Sequence, residues 1–239
     1  MSRFPEGPIT AFVPCRSGSE RVPFKNTRPF GEFRHGLVGI KLTQLLSCTA
    51  IERIVLSTND ELILSMAHAL GAGDRLVVHR RCESLASGKT STDALVAHAF
   101  DLIKPYGLNS HVLWTHVTSP FLTTEHYTEI IKEYFRALTA GYDSLMGTTP
   151  IHTFLWSETG PLNYDRTIEK WPRTQTLDPV YEVNSSAFLS PLLIYSECHD
   201  RIGSRPWLHP INRLVAFDID WMEDFIIAEQ LLLKSLVAI

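Results

Sequence analysis

ITAFVPCRSGSERVPFKN (residues 9–26) joins a short apolar run to a loop rich in charged side chains. The run Ile9–Pro14 is apolar apart from Thr10, which is typical of a strand covered on both faces in a parallel sheet. Strand and helix patterns then alternate along most of the chain, and this order predicts an α/β fold with a mostly parallel central sheet. Ligands of such sheets bind beyond the carboxyl ends of the strands. The loop that begins at Cys15 is therefore a candidate binding loop.

This loop contains Arg16, Arg21 and Lys25, together with a glycine, Gly18, that lets the backbone approach a ligand closely. Backbone N–H groups and cations in one loop suit an anion such as a phosphate. The spacing matches neither of two common phosphate loops, G-x-x-x-x-G-K-S/T and G-x-G-x-x-G. A solvated surface loop is the alternative interpretation of the same composition.

Apolar spacing predicts the remaining elements. Strands are expected at Arg53 to Ser57, Arg75 to His79, Val112 to Val117, Ser144 to Thr149, Ser186 to Ile194 and Leu214 to Ile219. Helices are expected at Gly36 to Ala50, Glu61 to Leu70, Thr92 to Ile103, Thr124 to Leu138 and Trp221 to Leu236. Prolines and tryptophans between residues 150 and 180 predict an irregular or hairpin-like arm. The chain, residues 1–239, is thus expected to form one domain with this arm inserted in it.

Composition narrows the possible partners. The net charge of −4 provides no general positive field for nucleic acid, so an anionic ligand must be bound by a local cluster of cations. No stretch approaches the roughly 18 to 20 apolar residues that span a bilayer, and the N-terminus lacks the apolar core of a signal peptide. The 4 cysteines form no C-x-x-C pair. We therefore expect a cytoplasmic protein with reduced thiols and with neither nucleic acid nor membrane as a partner.

The segment AFDIDWMEDF (residues 216–225) contains two acids, Asp218 and Asp220, two positions apart. On a strand they would point to the same face, because strand side chains alternate. Two carboxylates this close repel each other unless a cation lies between them, and Mg²⁺ is the usual cation where phosphates are handled. Capping of the helix expected at Trp221 is an alternative role for Asp220, but it leaves Asp218 unexplained.

A third polar segment, RTQTLDPVYEVNSSAF (residues 173–188), precedes and enters an expected strand. It brings Arg173, Gln175, Tyr181 and Asn184 together in the sequence. Such mixtures of polar and aromatic groups bind sugar hydroxyls and carboxylates. An interface loop is an equally good interpretation of this segment.

Five motifs, in order, resemble those of the acylneuraminate (sialic acid) cytidylyltransferases, the CMP-sugar-acid synthetases. They are PCRSGSERVPFKN (14–26), RRCESLASGKTS (80–91), THVTSPFLT (115–123), RTQTLDPVYEVNSSAF (173–188) and DIDWMEDFIIAE (218–229). The match extends from Ile9 to about Leu231. The resemblance implies a Rossmann-like three-layer nucleotidyltransferase fold and a homodimer built with the arm around residues 150–180. It also implies that CMP is transferred from CTP to a nine-carbon 2-keto sugar acid with Mg²⁺ as cofactor, releasing pyrophosphate.

The same resemblance assigns roles to residues. Catalysis and triphosphate binding would fall to Arg16 and Lys25. The nucleotide would contact Arg16, Ser17, Gly18, Arg21, Lys25, Asn26, Arg81, Ala86 and Ser91. The sugar acid would contact His116, Arg173, Gln175, Tyr181 and Asn184. Arg173 would face its carboxylate, unless a lysine or the opposite subunit does so. Asp218 and Asp220 would hold the metal ion.

Several positions depart from the family pattern. Glu20 stands where relatives usually carry Lys or Arg, His116 where they carry Gln, Val117 where they carry Pro, Gly88 where they carry Asp and Ser185 where they carry Gly. These positions surround the implied nucleotide and acceptor sites. We therefore expect a shifted sugar substrate. A different nucleotide such as GTP, and a non-catalytic nucleotide-binding relative, are the alternatives.

Overall fold

The computed structural model describes residues 3–239. The strands are β1 (Ile9–Pro14), β2 (Arg53–Thr58), β3 (Leu76–Arg80), β4 (His111–Trp114), β5 (Ser144–Ile151), β6 (Trp156–Ser157), β7 (Gly160–Pro161), β8 (Val180–Pro191) and β9 (Pro206–Pro210). The helices are α1 (Gly36–Ser47), α2 (Glu61–Ala69), α3 (Thr92–Ile103), α4 (Thr124–Thr139), α5 (Leu192–Glu197) and α6 (Met222–Leu233). No helix in these residues is long and apolar enough to span a bilayer.

Within the described residues, seven strands form the central sheet in the order β3-β2-β1-β4-β8-β5-β9. β1 pairs in parallel with β2 and β4, β2 with β3, and β5 with β9. Only β8 runs against its neighbours, β4 and β5. The predicted mostly parallel sheet is confirmed, and its parallel order brings the carboxyl ends of β1 and β4 side by side.

Helices cover both faces of the sheet. On β1, the side chains of Ala11 and Val13 join a core that includes buried residues of α1, α2, α4 and α6. Phe12 points the other way, into a second core with Trp114 and residues of α3 and α5. The strand therefore loses water from both faces, and this explains why its sequence is an apolar run without alternation.

One strand prediction is wrong at its carboxyl end, and another is wrong altogether. β4 ends at Trp114 and not at Val117, so residues 115–120 form a loop above the sheet. Leu214 to Ile219 is not a strand, because residues 213–216 form a turn and residues 217–220 join no ladder. One strand-like bond remains, from the Ile219 N–H to the Thr118 carbonyl at 2.9 Å. It fixes the segment with the two acids to the loop after β4.

The carboxyl-terminal third holds two more differences. β8 begins at Val180, earlier than expected, and the apolar residues Leu192 to Ile194 belong to helix α5. β9, with the sequence PWLHP, was not expected at all. Its two prolines are tolerated because it lies at the edge of the sheet, where only one side needs backbone donors.

The arm lies between the paired residues Ile151 of β5 and Val180 of β8. It contains the small β6–β7 hairpin and a 3₁₀ turn at Thr174–Thr176. The rings of Trp156 and Trp171 stack with their centroids 6.4 Å apart. The Arg166 guanidinium lies 5.2 Å and 5.4 Å from these two rings. The arm is thus held by local aromatic contacts.

Candidate functional site

A pocket of about 300 Å³ opens at the carboxyl ends of β1 and β4. We call it the central pocket. The loop after β1, the loop after β4, β8 and the segment before α6 all contribute to it. Its polar and charged lining includes Arg16, Glu20, Arg21, Lys25, Asn26, His116, Asp218 and Asp220. The structure therefore brings together the first loop and both aspartates, which lie about 200 residues apart in the sequence.

Asp220 is held by two cations of the first loop. Arg21 Nη2 lies 2.8 Å and Lys25 Nζ lies 3.4 Å from Asp220 Oδ1. Lys25 also donates to the Ile219 carbonyl at 2.7 Å, and the Arg21 guanidinium stacks 4.8 Å from the Trp221 ring. Arg21 and Asp220 are half exposed, so each such pair contributes at most about 1 kcal/mol to stability. The pairs orient the site more than they stabilise the fold.

Arg16 closes the first loop upon itself. Its Nη1 donates to the carbonyls of Ser17 at 3.2 Å and Gly18 at 2.9 Å, while the amide of Asn26 donates to the Arg16 carbonyl at 3.0 Å. Gly18 has a φ of +69°, a conformation that favours glycine. No carboxylate forms a salt bridge with Arg16 in the described residues. Its charge is therefore available to an anion.

Asp218 carries an unsatisfied buried oxygen. Its Oδ1 has no hydrogen-bond partner in the part of the chain that the structure describes. Beneath it lies Lys41, fully buried, whose Nζ donates to the Ser119 carbonyl at 2.9 Å and to the Tyr127 hydroxyl at 2.5 Å. Burial lowers the pKa of Lys41 to about 7, although the charge of Asp218 opposes the shift. Lys41 is a partial counter-charge for Asp218, and the orphaned oxygen is left for a ligand.

The two aspartates fit a magnesium ion. No cluster of three His, Cys, Asp or Glu side chains among residues 3–239 could hold a metal by itself. Mg²⁺ does not need one, because it commonly binds one or two carboxylates and takes its remaining ligands from phosphates and water. The unpartnered Oδ1 of Asp218 and the carboxylate of Asp220, which both line the central pocket, could supply these two carboxylates, Asp220 after release of its contacts with Arg21 and Lys25.

His116 lies at the β4 side of the pocket and is held by Trp114. The indole Nε1–H donates to His116 Nε2 at 2.6 Å. Burial, with the nearby charges of Arg201, Lys41 and Lys25, lowers the pKa of His116 to about 4. The imidazole is therefore neutral at pH 7, and because Nε2 accepts, Nδ1 carries the proton. His116 therefore offers one hydrogen-bond donor, its Nδ1–H.

Arg81 is a buried cation beside the pocket. It is 3% exposed, and its Nε and Nη2 have no hydrogen-bond partner in the described residues. It affects the pKa of Cys15, which burial raises to about 12. Leaving charged donors unpaired in the interior costs on the order of 1–3 kcal/mol or more. Arg81 does not itself line the central pocket or its neighbour, so these donors lie behind the pocket wall.

The other residues assigned to the nucleotide have varied surroundings. Ser17 and Gly18 line a neighbouring pocket of about 280 Å³ that shares Arg16, Lys25 and Asn26 with the central one. Ala86 is buried. The Ser91 hydroxyl accepts from the Ala94 N–H at 3.2 Å and caps α3. Capping by itself accounts for a serine at that position.

The residues assigned to the sugar acid are not gathered in one place. His116 lines the central pocket, whereas Arg173, Gln175 and Tyr181 are exposed and do not. Asn184 is buried, and its amide donates to the Thr149 hydroxyl at 3.3 Å and accepts from the Ser186 N–H at 3.3 Å. Within its own chain, Asn184 thus serves to fasten β8 to β5.

Glu20 lies beside Gly88 in the pocket wall. A Cβ added at Gly88 would lie 3.3 Å from Glu20 Oε1 and 3.7 Å from Arg16 Nη2. The two departures from the family pattern, an acid gained at position 20 and an acid lost at position 88, are therefore neighbours in space. A side chain at position 88 would therefore have to share this space with the Glu20 carboxylate.

Sequence reasoning missed Lys41, which lies under Asp218, and Trp114, which holds His116. Lys41 could have been noticed, because it interrupts the apolar face of GLVGIKLTQLL (residues 36–46). Trp114 could not, because it resembles an ordinary residue of an apolar strand.

The chain is similar in sequence to known cytidylyltransferases. The family model described as Cytidylyltransferase matches residues 10–155. The CMP-N,N'-diacetyllegionaminic acid synthase of Legionella pneumophila is 33% identical over 131 residues, which cover 52% of this chain and 53% of that protein. The N-acylneuraminate cytidylyltransferase A of Danio rerio is 24% identical over 238 residues, covering 95% of this chain and 51% of that protein. The chain spans about half the length of the curated relatives it matches.

Solved structures share the fold. The CMP:2-keto-3-deoxy-manno-octonic acid synthetase complexed with CTP superposes with a TM-score of 0.63 at 13% identity, over 96% of this chain and 100% of that chain. The 4-diphosphocytidyl-2C-methyl-D-erythritol synthase of Anaerococcus prevotii gives 0.64 at 14% identity, over 95% and 98%. At these identities the likeness establishes the three-layer architecture.

Proposed function

Because the chain belongs to the cytidylyltransferase family, we propose that it transfers CMP from CTP to a nine-carbon 2-keto sugar acid and releases pyrophosphate. One observation carries the proposal: the central pocket gathers the cations of the first loop and the two aspartates at the carboxyl edge of a parallel sheet. The names of the relatives, which include pseudaminic, N-acylneuraminate and legionaminic acid enzymes, support the sugar class.

In the proposed reaction, the anomeric hydroxyl of the sugar acid attacks the α-phosphate of CTP. The bond from the α-phosphorus to the bridging oxygen breaks, pyrophosphate leaves with the electron pair of that bond, and the proton of the attacking hydroxyl passes to solvent. Negative charge accumulates on the phosphate oxygens, so preorganised cations are the main requirement. Arg16 and Lys25 would neutralise this charge, and Arg21 could leave Asp220 to join them.

The aspartates and the buried arginine complete the nucleotide site. Asp218 and Asp220 would hold Mg²⁺, which supplies positive charge to the phosphate oxygens when bound. Arg81 would satisfy its unpaired N–H groups on carbonyl acceptors of the base. His116 would donate its Nδ1–H to an oxygen of the acceptor. A glutamine amide could donate and accept at that position, whereas this imidazole offers one donor, which supports a shifted sugar substrate.

We further propose a homodimer built with the arm. Trp171 is 61% and Ile168 is 85% exposed there, and Arg173 and Tyr181 do not reach the central pocket of their own chain. An arm that crosses to a second copy would cover the apolar side chains and could deliver the polar ones. The 4 free cysteines fit a reducing compartment such as the cytoplasm.

The test is pyrophosphate release with CTP, Mg²⁺ and a panel of nine-carbon sugar acids. A thermal-shift screen of the four ribonucleoside triphosphates accompanies it, since a ligand that binds only the folded state raises its stability. CTP-dependent turnover of one sugar acid supports the proposal. Stabilisation by CTP without turnover of any sugar acid would indicate a non-catalytic nucleotide-binding protein. Stabilisation by GTP alone would indicate that GTP, and not CTP, is the nucleotide that the protein binds.

A further inference from the structure

Lys41 of α1 places a buried ammonium against the loop after β4. The side chain is fully buried, and its Nζ donates to the Ser119 carbonyl at 2.9 Å and to the Tyr127 hydroxyl at 2.5 Å. Among residues 3–239 no carboxylate lies within salt-bridge distance of it, although the charge of Asp218 acts on it from further away. A buried charge without an ion-pair partner lowers stability. The fold alone therefore gives no reason for a lysine here.

The Tyr127 hydroxyl extends this contact to the first residue of the same loop. It lies 2.8 Å from Thr115 Oγ1, and the Thr115 hydroxyl donates to the Ser186 carbonyl at 2.7 Å. Because Thr115 gives its one hydroxyl proton to that carbonyl, the Tyr127 hydroxyl donates to Thr115 and accepts from Lys41. The chain of hydrogen bonds thus runs in one direction, from the ammonium on α1 through α4 and the loop to β8.

The ammonium therefore holds the loop after β4 at two points, near its start and near its end. Three residues between these points line the central pocket, namely His116, Val117 and Thr118. The Thr118 carbonyl accepts the N–H of Ile219 at 2.9 Å, and Ile219 lies between the two acids of the pocket in the sequence. The position of this loop thus sets the position of the segment that carries both acids.

We propose that Lys41 is a positioning residue for the metal site, an inference that rests on the proposed function. Its ammonium fixes the loop after β4, and the loop fixes Asp218 and Asp220, which are expected to hold Mg²⁺. Lys41 does not line the central pocket, so it acts without touching the substrate. Hydrogen bonds from a charged donor are stronger than those between neutral groups, and buried chains of such bonds strengthen one another. The charge that lowers stability therefore serves the geometry of the site, as groups at active sites often do.

Hydrogen exchange of the Ile219 amide tests this hold without any turnover. The amide is bonded to the Thr118 carbonyl, so it exchanges when the segment leaves the loop. Lys41→Met keeps a long side chain but removes the ammonium. We expect it to speed exchange of the Ile219 amide at least tenfold, measured by NMR, while the midpoint of urea unfolding does not fall. Lys132→Met, on the exposed face of α4, should change neither quantity.

Steady-state kinetics of the same variants measures the consequence for the reaction. Lys41→Met should lower kcat for pyrophosphate release at least tenfold and raise the Mg²⁺ concentration that gives half the maximal rate. Thermal stabilisation by CTP without Mg²⁺ should stay unchanged, because the first loop is not altered. A lysine that only packs α1 against its neighbours would change the midpoint of unfolding and would leave the Mg²⁺ requirement as it is.

The outcomes separate the two proposals. If the unsubstituted protein turns over no sugar acid, the proposed function fails and the role of Lys41 in the reaction fails with it. If that protein is active but Lys41→Met keeps its Mg²⁺ requirement or its slow exchange at Ile219, only the Lys41 assignment is overturned. Faster exchange together with a lower midpoint of unfolding would also overturn it, because that result would reflect a general loss of packing. Lys41→Gln provides the same comparison if Lys41→Met does not fold.

Discussion

Trp114 donates its indole N–H to Nε2 of His116 across 2.6 Å. The bond is made two residues apart along the chain, at the point where β4 ends and the loop above the sheet begins. It fixes the tautomer of an imidazole whose pKa is lowered to about 4. A histidine that could switch its charge near neutral pH is thereby made into a neutral donor with one orientation.

The first prediction concerns acid stability. The folded pKa of His116 lies below the ordinary 6.5, so the unfolded chain binds more protons between pH 6.5 and 4. Stability is full above pH 6.5 and is lost as the pH falls towards 4, by at most about 3 kcal/mol from this residue. His116→Gln should remove that loss. Urea unfolding of both proteins from pH 7 to pH 4 measures it, and parallel curves would refute the assignment.

The second prediction concerns Lys41. Its pKa falls from 10.5 to about 7 on burial, so its cost to stability is absent above pH 10.5, grows as the pH falls and is complete near pH 7. Lys41→Met should raise the free energy of unfolding at pH 7 by about 2 kcal/mol, after allowance for two lost hydrogen bonds. The gain should shrink towards pH 10. Denaturation at several pH values tests this, with exposed Lys132→Met as the control; a gain independent of pH would contradict it.

The third prediction concerns Glu20. A carboxylate beside the triphosphate cations opposes an anionic ligand by about 1 kcal/mol. Glu20→Lys should therefore tighten CTP binding at least about fivefold. Calorimetric titration gives the dissociation constant, and Glu6→Lys, an exposed position before the amino-terminal end of β1, controls for net charge. Unchanged or weaker binding in Glu20→Lys would mean that Glu20 contacts the ligand favourably.

The fourth prediction concerns the metal. Asp218→Asn keeps the shape of the side chain but weakens its affinity for a hard cation. We expect pyrophosphate release to fall by about a hundredfold or more, as for loss of a principal electrostatic group, and to require a higher Mg²⁺ concentration. Asp220→Ala should lower pyrophosphate release in the same way. Asp74→Asn, in an exposed turn, should have no effect, and normal turnover in either pocket variant would remove the metal assignment.

The fifth prediction concerns assembly. A charge on the exposed apolar surface of the arm should disfavour a buried interface strongly. Ile168→Asp should convert a particle of twice the chain mass into one of the chain mass, as measured by light scattering during size-exclusion chromatography. Leu62→Asp, on the exposed face of α2, should leave the mass unchanged. A monomeric unsubstituted protein would show that the arm is not a dimer interface under those conditions.

The sequence predicted the fold where local and global preferences agree. The apolar run of β1 and the capped helix α3 were foreseen with their bounds, because patterning, caps and turns all indicate the same element there. The elements after Leu189 were not predicted. Its apolar residues suit a strand and a helix equally well, and the prolines of β9 conceal a strand that is tolerated only at the sheet edge.

The residues of the candidate site also divide into those that the sequence predicted and those that it did not. Arg16, Lys25, Asp218 and Asp220 belong to motifs that could be recognised along the chain, and the fold places all four in one pocket. Lys41 belongs to no motif. Its contacts with the Ser119 carbonyl and the Tyr127 hydroxyl join residues that are distant in sequence, and only the fold brings them together.

The register between β5 and β8 has one more consequence. Ile151 faces Val180 directly, so the chain leaves the sheet and re-enters it at a single rung of the ladder. Everything between these two residues is, topologically, the loop of a β-hairpin. Loop length changes the free energy of closure only weakly, by about 0.6 kcal/mol per doubling. A change in the length of this segment should therefore leave the central sheet nearly unaffected, so the arm and the sheet are energetically almost independent of each other.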